Sequence, residues 1–478
     1  MARWIVAIAL AAAACSSEKQ QTDGGGDDAP DPTDLNGGAV SGSRFKLTYY
    51  DLGPTRMLYA IRDTLRDEPC TPQSWRGGAT YCTPTEASFV VFANAACTQP
   101  IGFDSTSTTC PEPPPPYFID SDSVQCDHGI AHIYPRGAKL ATTQYYRPDG
   151  TGGCAGPYTA NSVDFYALGP EVPVADLGLL TPSAPSDTGR ITQRFYTNPD
   201  GLRYPVRLLH DTQLDVACNA NYDAFESTTG RCNPVNDSTE SAYRDAACTV
   251  SQASTDSACP APKVSVRYNQ CPYEAPTYRA VAAAQTLTTV YSLTTATTCV
   301  ASPADATQRY YDVGAEIAPA VTARVRGTGV DRIQPIVHTT PEGLRARDYY
   351  LYDSQLDGEC TPRARADGSL VCAPFGFVTQ PFFTDAACQM PIELMRIFKG
   401  AASCEAPAAS PFSVSSVPVS ACTTDFSVRR TGAAYTGAVY ALAEGTCTVV
   451  DNSRHAVYRV LDIIPTNDLA PATLVTEP

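Results

Sequence analysis

Five histidines stand in this 478-residue chain: His128, His132, His210, His338 and His455. A neutral imidazole exchanges a proton near pH 7, so each is a candidate base or metal ligand. The densest group is Cys126-Asp127-His128 with His132. His128 and His132 meet on one face of a helix, but on one strand they stand about 13 Å apart. Asp120 and Asp122 have the types needed for paired carboxylates, although such a pair on a strand or loop is ordinarily two solvated charges. The G-x-S-x-G elbow, H-E-x-x-H, the P-loop and the dinucleotide fingerprint are all missing. We therefore assign no catalytic residue, no metal and no cofactor, while a triad assembled across the fold stays open.

Cysteines are the other reactive group. Nineteen are present, one of them Cys15. The rest fall into three sets of six: Cys70, Cys82, Cys97, Cys110, Cys126, Cys154; Cys218, Cys232, Cys248, Cys259, Cys271, Cys299; and Cys360, Cys372, Cys388, Cys404, Cys422, Cys447. An even set in an exported chain reads as a disulfide framework. Zinc would favour C-x-x-C pairs, and there are none. The first two cysteines of each set, such as Cys70 and Cys82, have the short spacing that brackets a hairpin. The expectation is pairing of sequential neighbours: first with second, third with fourth, fifth with sixth.

These cysteines sit inside a sentence written three times. It reads YYLYDSQLDGEC…VCAP…TDAAC at 349–388, RLLHDTQLDVAC…RCNP…RDAAC at 207–248 and YAIRDTLRDEPC…YCTP…ANAAC at 59–97. Each copy opens with arginine and an apolar residue, Arg44-Phe45, Arg190-Ile191 and Arg332-Ile333, at nearly even intervals. Self-similarity at a fixed period decides the architecture before any local signal. The modules are 44–189, 190–331 and 332–478. Asn94, Asp245 and Asp385 precede Ala-Ala-Cys and are read as turn caps, since a residue present in every copy serves the fold. Pro84, Pro234 and Pro374 fall under the same argument.

Short runs rich in tyrosine, valine, threonine and phenylalanine flank turns such as Pro199-Asp200-Gly201 and Pro341-Glu342-Gly343, which favours strands. The second half of each module echoes the first, so each module holds two β units of roughly 70 residues. The fold class is all-β, with a three-fold internal repeat of about 145 residues. Six units predict a six-bladed β-propeller-like ring. The alternative is three tandem β-sandwich or barrel modules. PEPPPPY at 111–117 reads as a stiff polyproline loop.

The N-terminus sets the compartment. Arg3 precedes an apolar stretch, Trp4 to Ala14, that is too short to span a bilayer and has the form of a secretory signal. Ala12-Ala13-Ala14-Cys15 resembles the lipobox of bacterial lipoproteins, which implies a signal over 1–15 and lipid on Cys15. Residues 16–43 carry no aromatic side chain and read as a flexible acidic tether. Asp27, Asp28, Asp31 and Asp34 lack the spacing that folds a loop around calcium. A net charge of −16 argues against nucleic acid as a partner.

Repeated C-x-P…DAAC modules behind a lipobox resemble the uncharacterised cysteine-rich tandem-repeat lipoproteins of the myxobacterial type. That resemblance implies an exported, surface-facing protein and transfers no activity. The expected function is a lipid-anchored binding or scaffold protein at the outer membrane or cell surface, and not an enzyme. Its expected partners are the membrane, through the lipid on Cys15 alone, and a protein or glycan ligand. The alternatives are an extracellular hydrolase or lyase acting on polysaccharide or lipid, and a structural envelope component. Metabolic labelling with palmitate is expected to mark the wild-type chain and not Cys15→Ala; equal labelling of the two refutes lipidation at Cys15.

Overall fold

The computed structural model describes residues 38–478 except 106–112, 122–128, 150–152, 161–162, 185–188, 223–228, 236–237, 258, 269–270, 272–275, 294–297, 328–329, 401–402, 406–408, 421–422 and 444. The described residues form strands, joined by turns and by two 3-10 turns, Val174–Asp176 and Thr466–Asp468. The fold is all-β.

Strand β1 (Phe45–Asp51) shows why. Its sequence FKLTYYD puts Phe45, Leu47 and Tyr49 on one face, and all three are buried. β1 pairs with β2 (Arg56–Asp63), β2 with β3 (Glu68–Ser74) and β3 with β4 (Thr80–Pro84), each antiparallel. The chain then leaves to build a second sheet from β5 (Ala87–Phe92), β6 (Pro100–Ser105), β7 (Tyr117–Ser121), β8 (Ile130–Leu140), β9 (Gln144–Pro148), β10 (Cys154–Thr159) and β11 (Val163–Leu168). It returns as β12 (Gly178–Pro182), which pairs with β4 on one side and with Ile191–Thr197 on the other.

Two further runs of five strands continue the first sheet. They are Ile191–Thr197, Arg203–Asp211, Val216–Tyr222, Thr229–Pro234 and Ala320–Arg326, then Ile333–Thr339, Arg345–Asp353, Gly358–Ala364, Leu370–Pro374 and Ala470–Thr476. Ala470–Thr476 pairs with β1, so among the described residues fifteen strands close one large barrel. Closure removes the exposed edges that would otherwise template aggregation.

The excursions form three seven-stranded sheets with one strand order. In the first, β5, β6, β11, β8 and β7 follow one another, and parallel pairing of β5 with β7 closes them into a small barrel. The second and third close the same way, through Ser238–Tyr243 with Val264–Arg267 and through Phe377–Phe383 with Phe412–Pro418. The expected six-bladed ring is not what these pairings make. The four-strand runs that open with Phe45, Ile191 and Ile333 join the large barrel instead of standing alone, and the strands that follow each run close on themselves. Of the alternative, three tandem β-sandwich or barrel modules, the small barrels are present, while the large barrel is shared by all three runs.

One ion pair recurs where each run begins. Arg44 donates from Nε and Nη2 to both oxygens of Asp63, at 2.8 and 2.6 Å. Arg190 grips Asp211, and Arg332 grips Asp353 at 3.0 and 2.8 Å. The three carboxylates are almost wholly out of solvent. Each also accepts the backbone N–H of the turn that follows, at Leu65, at Gln213 and Leu214, and at Gln355 and Leu356. The same arginines reach the carbonyls of Asp176, Ala318 and Asp468, on the returning segments. Residues 38–43, read from sequence as tether, lie on this barrel: Val40 bridges Arg203, and Ser41 Oγ accepts Leu47 N–H and donates to Glu477. Cys15 lies outside the described residues.

Disulfides join Cys70–Cys82, Cys218–Cys232 and Cys360–Cys372, first with second as expected. The other expected pairings are corrected. Third joins sixth, in Cys97–Cys154, Cys248–Cys299 and Cys388–Cys447, and Cys271 joins Cys404, 133 residues away. Cys259 is also disulfide-bonded; Cys110, Cys126 and Cys422 lie outside the described residues. This many disulfides indicate an oxidising or extracellular environment. Among the described residues no helix is long and apolar enough to cross a membrane.

Removing one partner of a buried ion pair strands the other's charge. Asp353→Ala is expected to lower unfolding stability by about 3 kcal/mol, and the double change Arg332→Met/Asp353→Leu by less. Urea unfolding checks the order, and an equal or larger loss in the double variant contradicts it.

Candidate functional site

The ladder slips at one place in every run. The register shifts between Thr48 and Tyr49, between Gln193 and Phe195, and between Pro335 and Val337. Such bulges re-aim side chains, and they recur next to functional sites. Here two of them bring Arg207 and Tyr349 together. Arg207 Nε donates to Tyr349 Oη at 2.9 Å, Tyr349 Oη donates to the Arg207 carbonyl at 3.3 Å, and the guanidinium lies 5.0 Å from the ring centroid. Their strands are separated by four others in the barrel order, so the contact spans the barrel and does not follow the ladder. A cavity of about 30 Å³ lies beside it, lined among others by Arg207, Asn219, His338, Asp348 and Tyr349.

Behind the cavity is a buried charge network. Arg324 Nε donates to Asp348 Oδ2 at 2.6 Å, and its Nη1 donates to Glu359 Oε1. His338 Nε2 is 3.1 Å from the same Asp348 oxygen, and Nδ1 is 3.4 Å from Thr322 Oγ1. All five side chains are buried. Thr322, His338 and Asp348 have the outline of a nucleophile, base and orienting acid. Thr322 exposes no surface and Asp348 is held by Arg324, so no substrate reaches that hydroxyl. Burial by itself would raise the Asp348 pKa. The hydrogen bond from His338 and the charge and hydrogen bond of Arg324 outweigh it and hold the carboxyl below its ordinary value of 3.8.

Of the candidates read from sequence, His338 belongs to this network. His128, Cys126 and Asp122 lie outside the described residues. His132 is opposite Asp120 in the ladder and 2.8 Å from Glu171, exposed. His210 lies 3.3 Å from Asp215, which also takes Lys263. His455 contacts Arg396 at 3.0 Å. These pairs are separate from one another. Among the described residues no three His, Cys, Asp or Glu side chains are placed to hold a metal. Arg324, Asp348 and Glu359 escaped sequence reading because they come from three strands. The available signal was Glu359, a charge beside Cys360 where the other copies have Pro69 and Ala217.

Asn94, Asp245 and Asp385 cap turns. Their side chains accept the N–H groups of Thr98 and Gln99, Thr249 and Val250, and Gln389 and Met390. Each turn ends on a cysteine with positive φ: Cys97 at 48°, Cys248 at 50° and Cys388 at 50°. That cysteine pins a hairpin. The hairpins are β9–β10, Thr289–Leu293 with Cys299–Pro303, and Tyr440–Ala443 with Thr446–Val449. Each joins the ladder of its small barrel through one residue pair, Tyr146 with Phe92, Tyr291 with Tyr243 and Tyr440 with Phe383, and packs on it through Tyr145, Val290 and Ala441. Their exposed side chains include Tyr158, Leu293, Val300, Leu442 and Val449.

The Asp348 carboxyl titrates lower in the folded than in the unfolded chain. Its contribution is therefore present above the unfolded value of 3.8 and lost as pH falls through the folded value. Asp348→Asn is expected to be less stable than wild type at pH 7, with the gap closing below about pH 4. Melting curves across pH 2–7 check this, and a gap that stays constant contradicts it.

No curated protein and no solved structure matches the chain. The model of one family of unknown function (DUF7481) matches residues 22–465, nearly the whole of the described fold and part of the segment before it. The chain belongs to this family of unknown function.

Proposed function

We propose that the protein is an exported binding or scaffold protein, lipid-anchored through Cys15 at the outer membrane or cell surface. It engages a protein or glycan partner through the three hairpins. The chain is read as a three-fold internal repeat, a reading supported by the shared strand order of the small sheets.

The observation that carries the binding role is how the hairpins are held. They stand outside the five strands that close each small barrel, and in the ladder each joins by a single residue pair. Yet each is fixed by a disulfide to an Asx-capped turn. A disulfide that spans 51 to 59 residues costs the unfolded chain entropy and holds a surface hairpin in one pose. Tyr145, Val290 and Ala441 face the small-barrel cores, whereas Tyr158, Leu293, Val300, Leu442 and Val449 are exposed and lie outside those clusters. Presented on a rigid frame, these exposed side chains suit recognition at low ordering cost. Three hairpins on one chain also allow multivalent attachment, in which each contact raises the effective concentration of the next.

The test is a glycan and envelope-protein array probed with the purified chain. Wild type is expected to capture a ligand. Changing Leu293, Val300, Leu442 and Val449 together to serine is expected to weaken capture at least about tenfold without lowering the melting temperature. Capture unaffected by these changes refutes the hairpin site. Turnover of an arrayed substrate refutes the binding-only role.

A further inference from the structure

The cavity beside Arg207 and Tyr349 belongs to the large barrel, apart from the hairpins, and it has a chemistry of its own. Arg207 uses Nε on the Tyr349 hydroxyl. Among the described residues its terminal nitrogens bond to nothing, and no carboxylate pairs with it. The side-chain amide of Asn219, on the same cavity wall, likewise has no partner among the described residues. The one acid facing the cavity, Asp348, is already matched by Arg324 and His338. The site thus presents an uncompensated guanidinium and an unused amide in a chain of net charge −16. A long-range field of that sign repels anions, so any anion bound here is held by local contacts.

Size narrows the ligand. One water needs about 10–15 Å³ of such space, so a cavity of about 30 Å³ holds roughly two waters, or one carboxylate group. Terminal guanidinium nitrogens match the two oxygens of a carboxylate in spacing and charge. The Tyr349 ring lines the cavity and is about half exposed, so it can border the rest of a small ligand.

We propose that this cavity binds the carboxylate group of a small organic acid. The terminal nitrogens of Arg207 take its oxygens, the Asn219 amide adds a donor, and the Tyr349 ring borders the remainder of the ligand. The group could arrive on a simple acid or on a uronic sugar, and the two are separable by experiment.

The experiment is calorimetric and NMR titration of the full chain with sodium acetate, sodium glucuronate, glucose and sodium chloride. Both acids are expected to bind saturably and glucose not at all. Tighter binding of glucuronate than of acetate assigns the site to the sugar acid; equal binding assigns it to the carboxylate alone. Arg207→Gln is expected to weaken binding about tenfold or more, the loss of a charge-assisted hydrogen bond. Asn219→Ala is expected to weaken it about threefold, with melting unchanged in both. If Arg207→Gln fails to fold, Arg207→Lys keeps the charge without the fork and must bind several-fold more weakly. Failure of both acids to saturate, equal affinity in the Arg207 variants, or equal competition by chloride overturns the proposal.

Discussion

A carboxylate removed from water must be matched, and three are removed here at corresponding places. Asp63, Asp211 and Asp353 each sit at the end of a strand with almost no exposed side chain. Left alone, such a charge would cost several kcal/mol. Each is instead held by the arginine that starts the preceding strand and by the backbone N–H of the next turn. The same guanidinium then reaches a carbonyl on the segment that returns from the small sheet. One side-chain pair therefore joins a strand start, a strand end, a turn and a returning chain. The returning strand carries the large sheet from one run to the next, so barrel closure rests on where that segment lands.

The cysteines divide between two tasks. Cys70–Cys82 and its counterparts lie diagonally across neighbouring strands, where Cys70 faces Pro84 and Pro72 faces Cys82. They are buried in the apolar clusters with Phe45, Ile191 or Ile333 and act as core side chains as much as cross-links. The third-to-sixth bridges close longer loops at the surface and fasten hairpins. Cys271–Cys404 goes further and ties segments of two different small sheets. Long closures restrict the unfolded chain most.

Besides the three arginine–aspartate pairs, the large barrel buries a second kind of charged junction. Arg324 bridges Asp348 and Glu359 there and His338 bonds the same Asp348, while the clusters around Phe45, Ile191 and Ile333 remain apolar. Ladder bulges make that junction possible. An uninterrupted strand would send the adjacent Asp348 and Tyr349 to opposite faces and could not line one cavity with both.

The sequence by itself determined the all-β class and the local turn and strand signals. Alternation such as FKLTYYD is a local property that survives without the fold, as is the turn glycine at Gly201, whose φ is 103°. It also determined the caps, because Asn94 and its counterparts bond groups close by in the chain. Hairpin disulfides were legible for the same reason. Strand partners were not. Pairing of β1 with Ala470–Thr476 sets Thr48 against Thr476, from opposite ends of the described fold, and nothing in either strand names the other. The expected blades failed there: local units were assumed to close locally, while the four-strand runs that open with Phe45, Ile191 and Ile333 close only together. The third-to-sixth bridges and the network around Asp348 were hidden likewise. A contact between distant strands depends on how the sheet curves and where it slips, which only the tertiary structure decides.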